Sequence, residues 1–225
     1  YHKKYAAPLE SDIDSVAGTV SGWVRRSGAV GDVASDAATA IAAARARRHI
    51  STLILPADVS WGDGAQPAED VAPQDPPAIG DLDEVAAALQ SGEPTVILIG
   101  GDAARSAGLG AAVRLAQSSG ARVLCETFPT RLERGAGIPA VERLAYFGEA
   151  AEVQLAGTRH LVLAGAPSPV TFFAYPGKPS DLVPEGCRVH RLAGPVGAVG
   201  ALTTLADRLA PTEVASTAPL SRPAL

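Results

Sequence analysis

Methionine and asparagine are both absent from this chain of 225 residues. Without methionine there is no initiator residue, yet the chain opens directly into a segment that reads as structured. The sequence is therefore expected to be a stretch of something longer. Cysteine is scarce: Cys125 and Cys187 stand far apart, which excludes a disulfide framework and fits a cytoplasmic address. No apolar run reaches the roughly 18 residues that a membrane-spanning helix needs. The start, Tyr1-His2-Lys3-Lys4-Tyr5, is polar and charged, unlike a secretory signal. Positive charge is thin as well. The net charge is −5 and the pI about 5.4, with no basic block, so nucleic acid is not an expected partner. The densest basic stretch, Arg45 to His49, reads as the cationic end of a helix meeting the negative end of its dipole. The histidines, His2, His49, His160 and His190, show no ligand spacing and predict no metal site.

What is present is an apolar fraction of 47%, enough for one core or two small ones. Asp12 is a candidate cap for a short turn, and Thr19 to Val24 alternates like a half-buried strand. Asp32 to Arg48 predicts a helix, with Val33, Ala37, Ala40, Ile41 and Ala44 on one face. Ser51 to Leu55, ended by Pro56, predicts a strand buried on both sides. Residues 1–59 thus read strand–helix–strand, a partial α/β domain. Residues 60–80, with Pro67, Pro73, Pro76 and Pro77 and no apolar period, read as a linker.

From Asp81 the pattern is regular. Helices are predicted over Asp83–Gln90, Leu109–Gln117 and Val196–Leu209, with helical pieces within Val141–Leu155. Strands are predicted over Thr95–Ile99, Arg122–Cys125, His160–Leu163 and Cys187–Leu192, and Phe128 to Ala140 reads as a loop. Alternating strands and helices predict a Rossmann-like α/β domain over 81–210, its parallel sheet covered by helices on both faces. Residues 211–225, rich in Ser, Thr and Pro, read as a second linker.

This order of segments resembles the thiamine-diphosphate-dependent enzymes, which run pyrimidine-binding domain, linker, middle domain, linker, diphosphate-binding domain. Ser51 to Val59 looks like the strand and exit that end the first domain. Thr95 to Arg105 looks like the opening strand and glycine turn of the middle domain, and Ser119 to Thr127 like its second strand. Pro169 to Pro184 is similar to a segment of an acetolactate-synthase-like subgroup near the benzoylformate decarboxylases. The resemblance implies a parent enzyme that decarboxylates a small 2-keto acid, as a transferase or lyase, using thiamine diphosphate and Mg²⁺. It also implies a homo-oligomer working with the missing domains in branched-chain amino acid biosynthesis. No catalytic residue of that family falls in this chain, so it is expected to be a scaffold, inactive alone. Gly62-Asp63-Gly64 imitates half of the family's Mg²⁺ motif, but the chain has no asparagine to complete it.

A few residues invite a chemical reading. Gly100, Gly101, Asp102 and Arg105 lie between a strand and a helix, where backbone N–H groups cradle phosphate in nucleotide-binding domains. The turn reads first as a structural glycine turn and second as a nucleotide site, with FAD the lesser expectation. Lys3, Lys4 and Tyr5 lie, by resemblance, beside the channel to the cofactor. Arg131, Glu133 and Arg134 read as a solvated lid or contact before an anion clamp. Cys125 reads as a buried thiol. Phe172, Phe173 and Tyr175 read as core or interface packing. A stand-alone nucleotide-binding or oligomerisation module is the alternative for the whole chain.

Overall fold

The structure, a computed structural model, describes residues 2–47, 49–72, 78–174 and 176–210. Tyr175, most of the prolines of the 60–80 stretch, the end of the basic run at Arg48, and the stretch 211–225 lie outside the described residues. The chain divides into two compact units, Tyr1–Pro76 and Pro77–Leu225. No helix among the described residues is long and apolar enough to cross a membrane.

In the first unit a 3₁₀ turn, Lys3–Tyr5, precedes helix α1 (Ile13–Val20). Asp12 caps this helix by accepting from the Ser15 N–H at 3.2 Å. The predicted strand over Thr19 to Val24 is therefore corrected: Thr19 and Val20 belong to α1, and strand β1 is Trp23–Arg26. The cap starts a helix that runs on through Thr19 and Val20, the first two residues of the alternating stretch. Helix α2 (Val33–Arg47) links β1 to β2 (Ser51–Ile54), which pairs parallel to β1 with Trp23 opposite Ser51. Helix α3 (Ala57–Ser60) follows.

On the face of α2 that carries Val33, Ala37, Ala40, Ile41 and Ala44, all but Ile41 are half-buried. Ile41 is exposed, whereas Asp36 is buried. Its carboxylate accepts from Arg25 Nη1 at 2.7 Å and from Ser27 Oγ at 2.9 Å, so polar pairing sets the rotation of a helix that is mostly alanine. Strand β2 is likewise half-buried rather than buried on both sides, since a two-stranded pair is too small to be covered on both faces within its unit.

The second unit carries α4 (Leu82–Gln90), β3 (Thr95–Ile99), a 3₁₀ turn (Gly101–Ala104), α5 (Ser106–Ser119) and β4 (Arg122–Cys125). After these come β5 (Glu142–Arg143), α6 (Gly148–Leu155), β6 (His160–Ala164), β7 (Arg188–Ala193) and α7 (Ala198–Leu209). The five strands form one parallel sheet in the order β5-β4-β3-β6-β7. Val141 to Leu155 is not wholly helical: Glu142 and Arg143 form the edge strand.

Side-chain alternation splits the core in two. Ile97 and Ile99 face α4, α5 and α7 with Leu109, Leu115, Leu202 and Leu205. Val96 and Leu98 face α6 with Leu124, Leu155, Leu161 and Leu163. Each such fully buried side chain contributes about 1.5–3 kcal/mol. The sheet is thus covered on both faces, by three helices on one side and by α6 on the other.

Asp81 caps α4, its Oδ1 accepting from the N–H groups of Asp83 (2.8 Å) and Glu84 (3.1 Å). Asp81→Ala should cost about 1 kcal/mol, read as a lower urea midpoint with an unchanged slope. An unaltered midpoint would show that packing alone starts this helix.

Candidate functional site

Ligands of open parallel sheets bind at the carboxyl edge, where strand order reverses. Here that point lies between β3 and β6. Three glycines crowd it. A Cβ on Gly100 would lie 2.2 Å from Glu126 Oε1 and 2.9 Å from the Gly165 carbonyl oxygen. Gly101, at φ +52°, faces the Pro195 carbonyl, and Gly165, at φ +79°, faces the Gly100 carbonyl. The missing side chains let one loop of this chain lie against another.

The amides of the turn are spent within the chain. Gly100 N–H donates to the Ala164 carbonyl at 3.0 Å, Asp102 N–H to Pro195 at 3.1 Å and Arg105 N–H to Asp102 at 3.1 Å. Gly101 N–H donates to Glu126 Oε1 at 3.4 Å. The Asp102 carboxylate accepts from Gly197 N–H at 2.8 Å, ahead of α7, while its Oδ1 is buried without a partner. At the start of α5, Ser106 N–H donates to Glu133 Oε2 at 2.6 Å, and Arg105 and Arg131 stand 3.5 and 3.9 Å from the same carboxylate. The Ser106 amide above all, then the two guanidinium groups, hold the Glu133 carboxyl below its usual range. A helix start that elsewhere takes a phosphate takes here an anion from its own chain. This is the structural use of the Arg131–Arg134 loop.

Beside this point lies a cavity of about 300 Å³ on the α6 side of the sheet. Leu98 and Leu144 line its apolar wall, and Glu126 lines it with an acid. The ladder continues one residue past β4, Glu126 N–H donating to Ile99 at 2.9 Å, and this carries the acid to the turn. Burial pushes the Glu126 carboxyl above its usual range, against the Gly101 hydrogen bond. The rim is aromatic. Phe128 leaves β4, Tyr146 leaves β5, and Phe172 comes from the loop after β6. Their ring centres are 5.2–5.8 Å apart. Tyr146 is aimed by its neighbour: Ala145 N–H donates to Gln154 Oε1 of α6 at 2.7 Å. Phe172 and Phe173 are 58% and 45% exposed, so of the core or interface packing expected from the sequence they do not serve the core.

At the opposite edge four titratable side chains form a line. His160 Nε2 meets Glu93 at 2.8 Å, His160 Nδ1 meets His190 Nε2 at 3.0 Å, and His190 Nδ1 meets Glu84 at 2.7 Å. His160, above all, holds the Glu93 carboxyl below its usual range. The pairing of β6 with β7 brings the two buried histidines together, which no sequence spacing announces. Among the described residues no group of three or more His, Cys, Asp or Glu is placed to hold a metal ion. Gly62-Asp63-Gly64 lies in coil after α3, with Gly62 packed against Val30. These residues do not fit a metal-held diphosphate.

Lys3, Lys4 and Tyr5 share one exposed turn of the first unit. Lys3 pairs with Glu10, and the Lys4 ammonium stands 5.1 Å from the Tyr5 ring centre.

Comparison with known proteins places the chain. No family model matches it. It is 66% identical over all of its 225 residues to IlvX of Mycobacterium tuberculosis, provisionally assigned as an acetolactate synthase large subunit. The chain spans 44% of that relative's length. Among solved structures, the thiamine diphosphate-dependent 4-hydroxybenzoylformate decarboxylase of Rhodococcus jostii RHA1 superposes with a TM-score of 0.71 at 21% identity, over 98% of this chain and 46% of that one. A provisionally assigned thiamin diphosphate-dependent enzyme from Mycobacterium smegmatis gives 0.68 at 22% identity, with the same coverage. The benzoylformate decarboxylase of Polynucleobacter necessarius gives 0.60 at 21%, over 92% of this chain and 42% of that one. Over its whole length the chain is thus similar to part of a provisionally assigned acetolactate synthase large subunit, and its fold is the one found in solved thiamine diphosphate-dependent enzymes.

Proposed function

We propose that the protein to which this sequence belongs is a thiamine-diphosphate-dependent enzyme that decarboxylates a 2-keto acid such as pyruvate and joins the product to a second keto acid. The observation that carries this reading is the 66% identity, sustained over the whole chain, with the mycobacterial relative. In this reading residues 1–59 close the pyrimidine-binding domain, 60–80 connect, 81–210 are the middle domain, and 211–225 lead toward the diphosphate-binding domain. Thiamine diphosphate and Mg²⁺ are held by other parts of the longer protein, where the cofactor serves as the electron sink for decarboxylation. This chain spaces the two cofactor-binding domains and is inactive alone. Lys3, Lys4 and Tyr5 face the anionic keto acid. FAD is the lesser reading for the Gly100 turn, because Gly101 N–H already donates to Glu126 and Ser106 N–H, at the start of α5, to Glu133. The enzyme is a cytoplasmic homo-oligomer serving branched-chain amino acid biosynthesis.

The full-length protein, supplied with thiamine diphosphate and Mg²⁺, should form acetolactate from pyruvate, while the 225-residue chain forms none. Release of benzaldehyde from benzoylformate without any acetolactate would replace the synthase reading with a decarboxylase. Inertness toward both keto acids would end it.

A further inference from the structure

All four phenylalanines of this chain, Phe128, Phe147, Phe172 and Phe173, fall in one patch with Tyr146. None serves the cores, which are built of Leu, Ile, Val and Ala with one Cys, Cys125. A fold with only 4% aromatic residues has thus placed its rings where water reaches them, an arrangement that costs free energy unless something covers them. Three different loops deliver them. The loop bearing Phe172 is pinned at its base, Thr171 N–H donating to Ser180 at 2.9 Å and Leu182 N–H to Pro169 at 3.1 Å, so the ring is presented rather than trailing.

Beneath the rings lies the cavity of about 300 Å³, at the small end of the range for ligand sites. Its wall is apolar, and Glu126 is its acid. Glu126 Oε1 is engaged by Gly101 N–H, and among the described residues no donor meets the other oxygen. Gly100 must be glycine for this carboxyl to lie where it does. The nearby donors that an anion would seek are already taken by Glu126 and Glu133. The site therefore offers faces for stacking and an acceptor, but not the donor cradle of a phosphate.

We infer that this crevice binds a small planar aromatic molecule, neutral or cationic, that donates a hydrogen bond to Glu126. The ring stacks on Phe128, Tyr146 and Phe172, and its N–H or amidinium group meets the acid. A surface that merely docks another protein has no need of a cavity walled by Leu98 and Leu144 with the half-buried Glu126 carboxyl in its lining.

The test uses four probes on the full-length protein: indole, benzamidine, benzoate and ADP, followed by saturation-transfer NMR and calorimetry. Indole and benzamidine should bind saturably, benzamidine the tighter. Benzoate and ADP should bind at least about tenfold more weakly, since the first lacks a donor and the second brings phosphates. Glu126→Gln should weaken benzamidine about tenfold and indole less, because only the cation loses a charge-assisted bond. Phe172→Ala, at an exposed ring whose loss leaves the core untouched, should weaken both about fivefold. Circular dichroism confirms that each variant stays folded. Absence of saturable binding by indole and benzamidine overturns the assignment. So does ADP binding more tightly than either, or affinities that ignore both substitutions.

Discussion

Gly165→Ala should cost about 3–4 kcal/mol of unfolding free energy, combining strained backbone with overpacking. That corresponds to a melting point lower by about 10 °C. The residue sits at φ +79°, where an L side chain is strained, and its Cβ would lie 2.4 Å from the Gly100 carbonyl oxygen and 3.3 Å from Ala198 Cβ. Neither neighbour yields easily. Gly100 is tied back to Ala164 by its N–H, and Gly165 is itself tied to Ala193, so relief means parting β6 from β3 or β7. Gly110→Ala is the control. It lies within α5 with nothing within 4 Å of the new carbon, and it should stabilise by about 0.5–1 kcal/mol through helix propensity. Equal responses at the two glycines would show that the loops at the carboxyl edge do not touch as described.

Thiol labelling should separate the two cysteines by more than two orders of magnitude. Cys125 is buried on β4, and burial pushes its thiol from near 9 up to about 11, with the Glu126 charge adding to the shift. At pH 8 the reactive thiolate is then about a hundredfold rarer than in a free thiol of the usual value. Steric cover slows attack further. Cys187, ahead of β7, is half-buried and less protected, although burial raises its thiol too. Iodoacetamide under native conditions should give a single adduct at Cys187, with the second appearing only in denaturant. The same shift carries a pH sign. The folded state keeps the Cys125 proton that the unfolded chain loses, so this contribution is complete below pH 9 and fades as the pH climbs toward about 11. Cys125→Ala should lose that alkaline arm. Native labelling of Cys125 within tenfold of Cys187 would contradict its burial.

Unbroken apolar runs gave the strands whose bounds the sequence announced best, whereas the mixed run from Cys187 to Leu192 announced β7 one residue early. Thr95–Ile99 and Arg122–Cys125 match their predicted bounds, because interior parallel strands are apolar on both sides. Glu142–Arg143 was unreadable for the opposite reason: two exposed charged residues, paired only through Leu124 and Cys125, leave no apolar signature. Ends governed by a single capping side chain were harder, as Asp12 shows in turning an alternating segment into helix. The site was legible only where chemistry is contiguous. The Gly100–Arg105 turn could be located, but its role depends on Glu126 and Glu133, which arrive from another strand and loop. The rings come from three segments, and the His160–His190 line depends on strand register, so neither has a pattern in one stretch of sequence.

The strand order also imposes a schedule on the growing chain. β3 can close on β4 as soon as Cys125 has emerged, but its other neighbour is not made until Ala164. Synthesis from Thr95 to Ala164 takes roughly 3–14 seconds at typical elongation rates. Throughout that interval Val96-Ile97-Leu98-Ile99, all buried in the finished sheet, keeps at least one bare edge. Such an edge is a template for strands of other chains. The central strand that makes the native sheet so apolar is thus the chain's main aggregation hazard while it is being made, and any pause between α5 and β6 prolongs it.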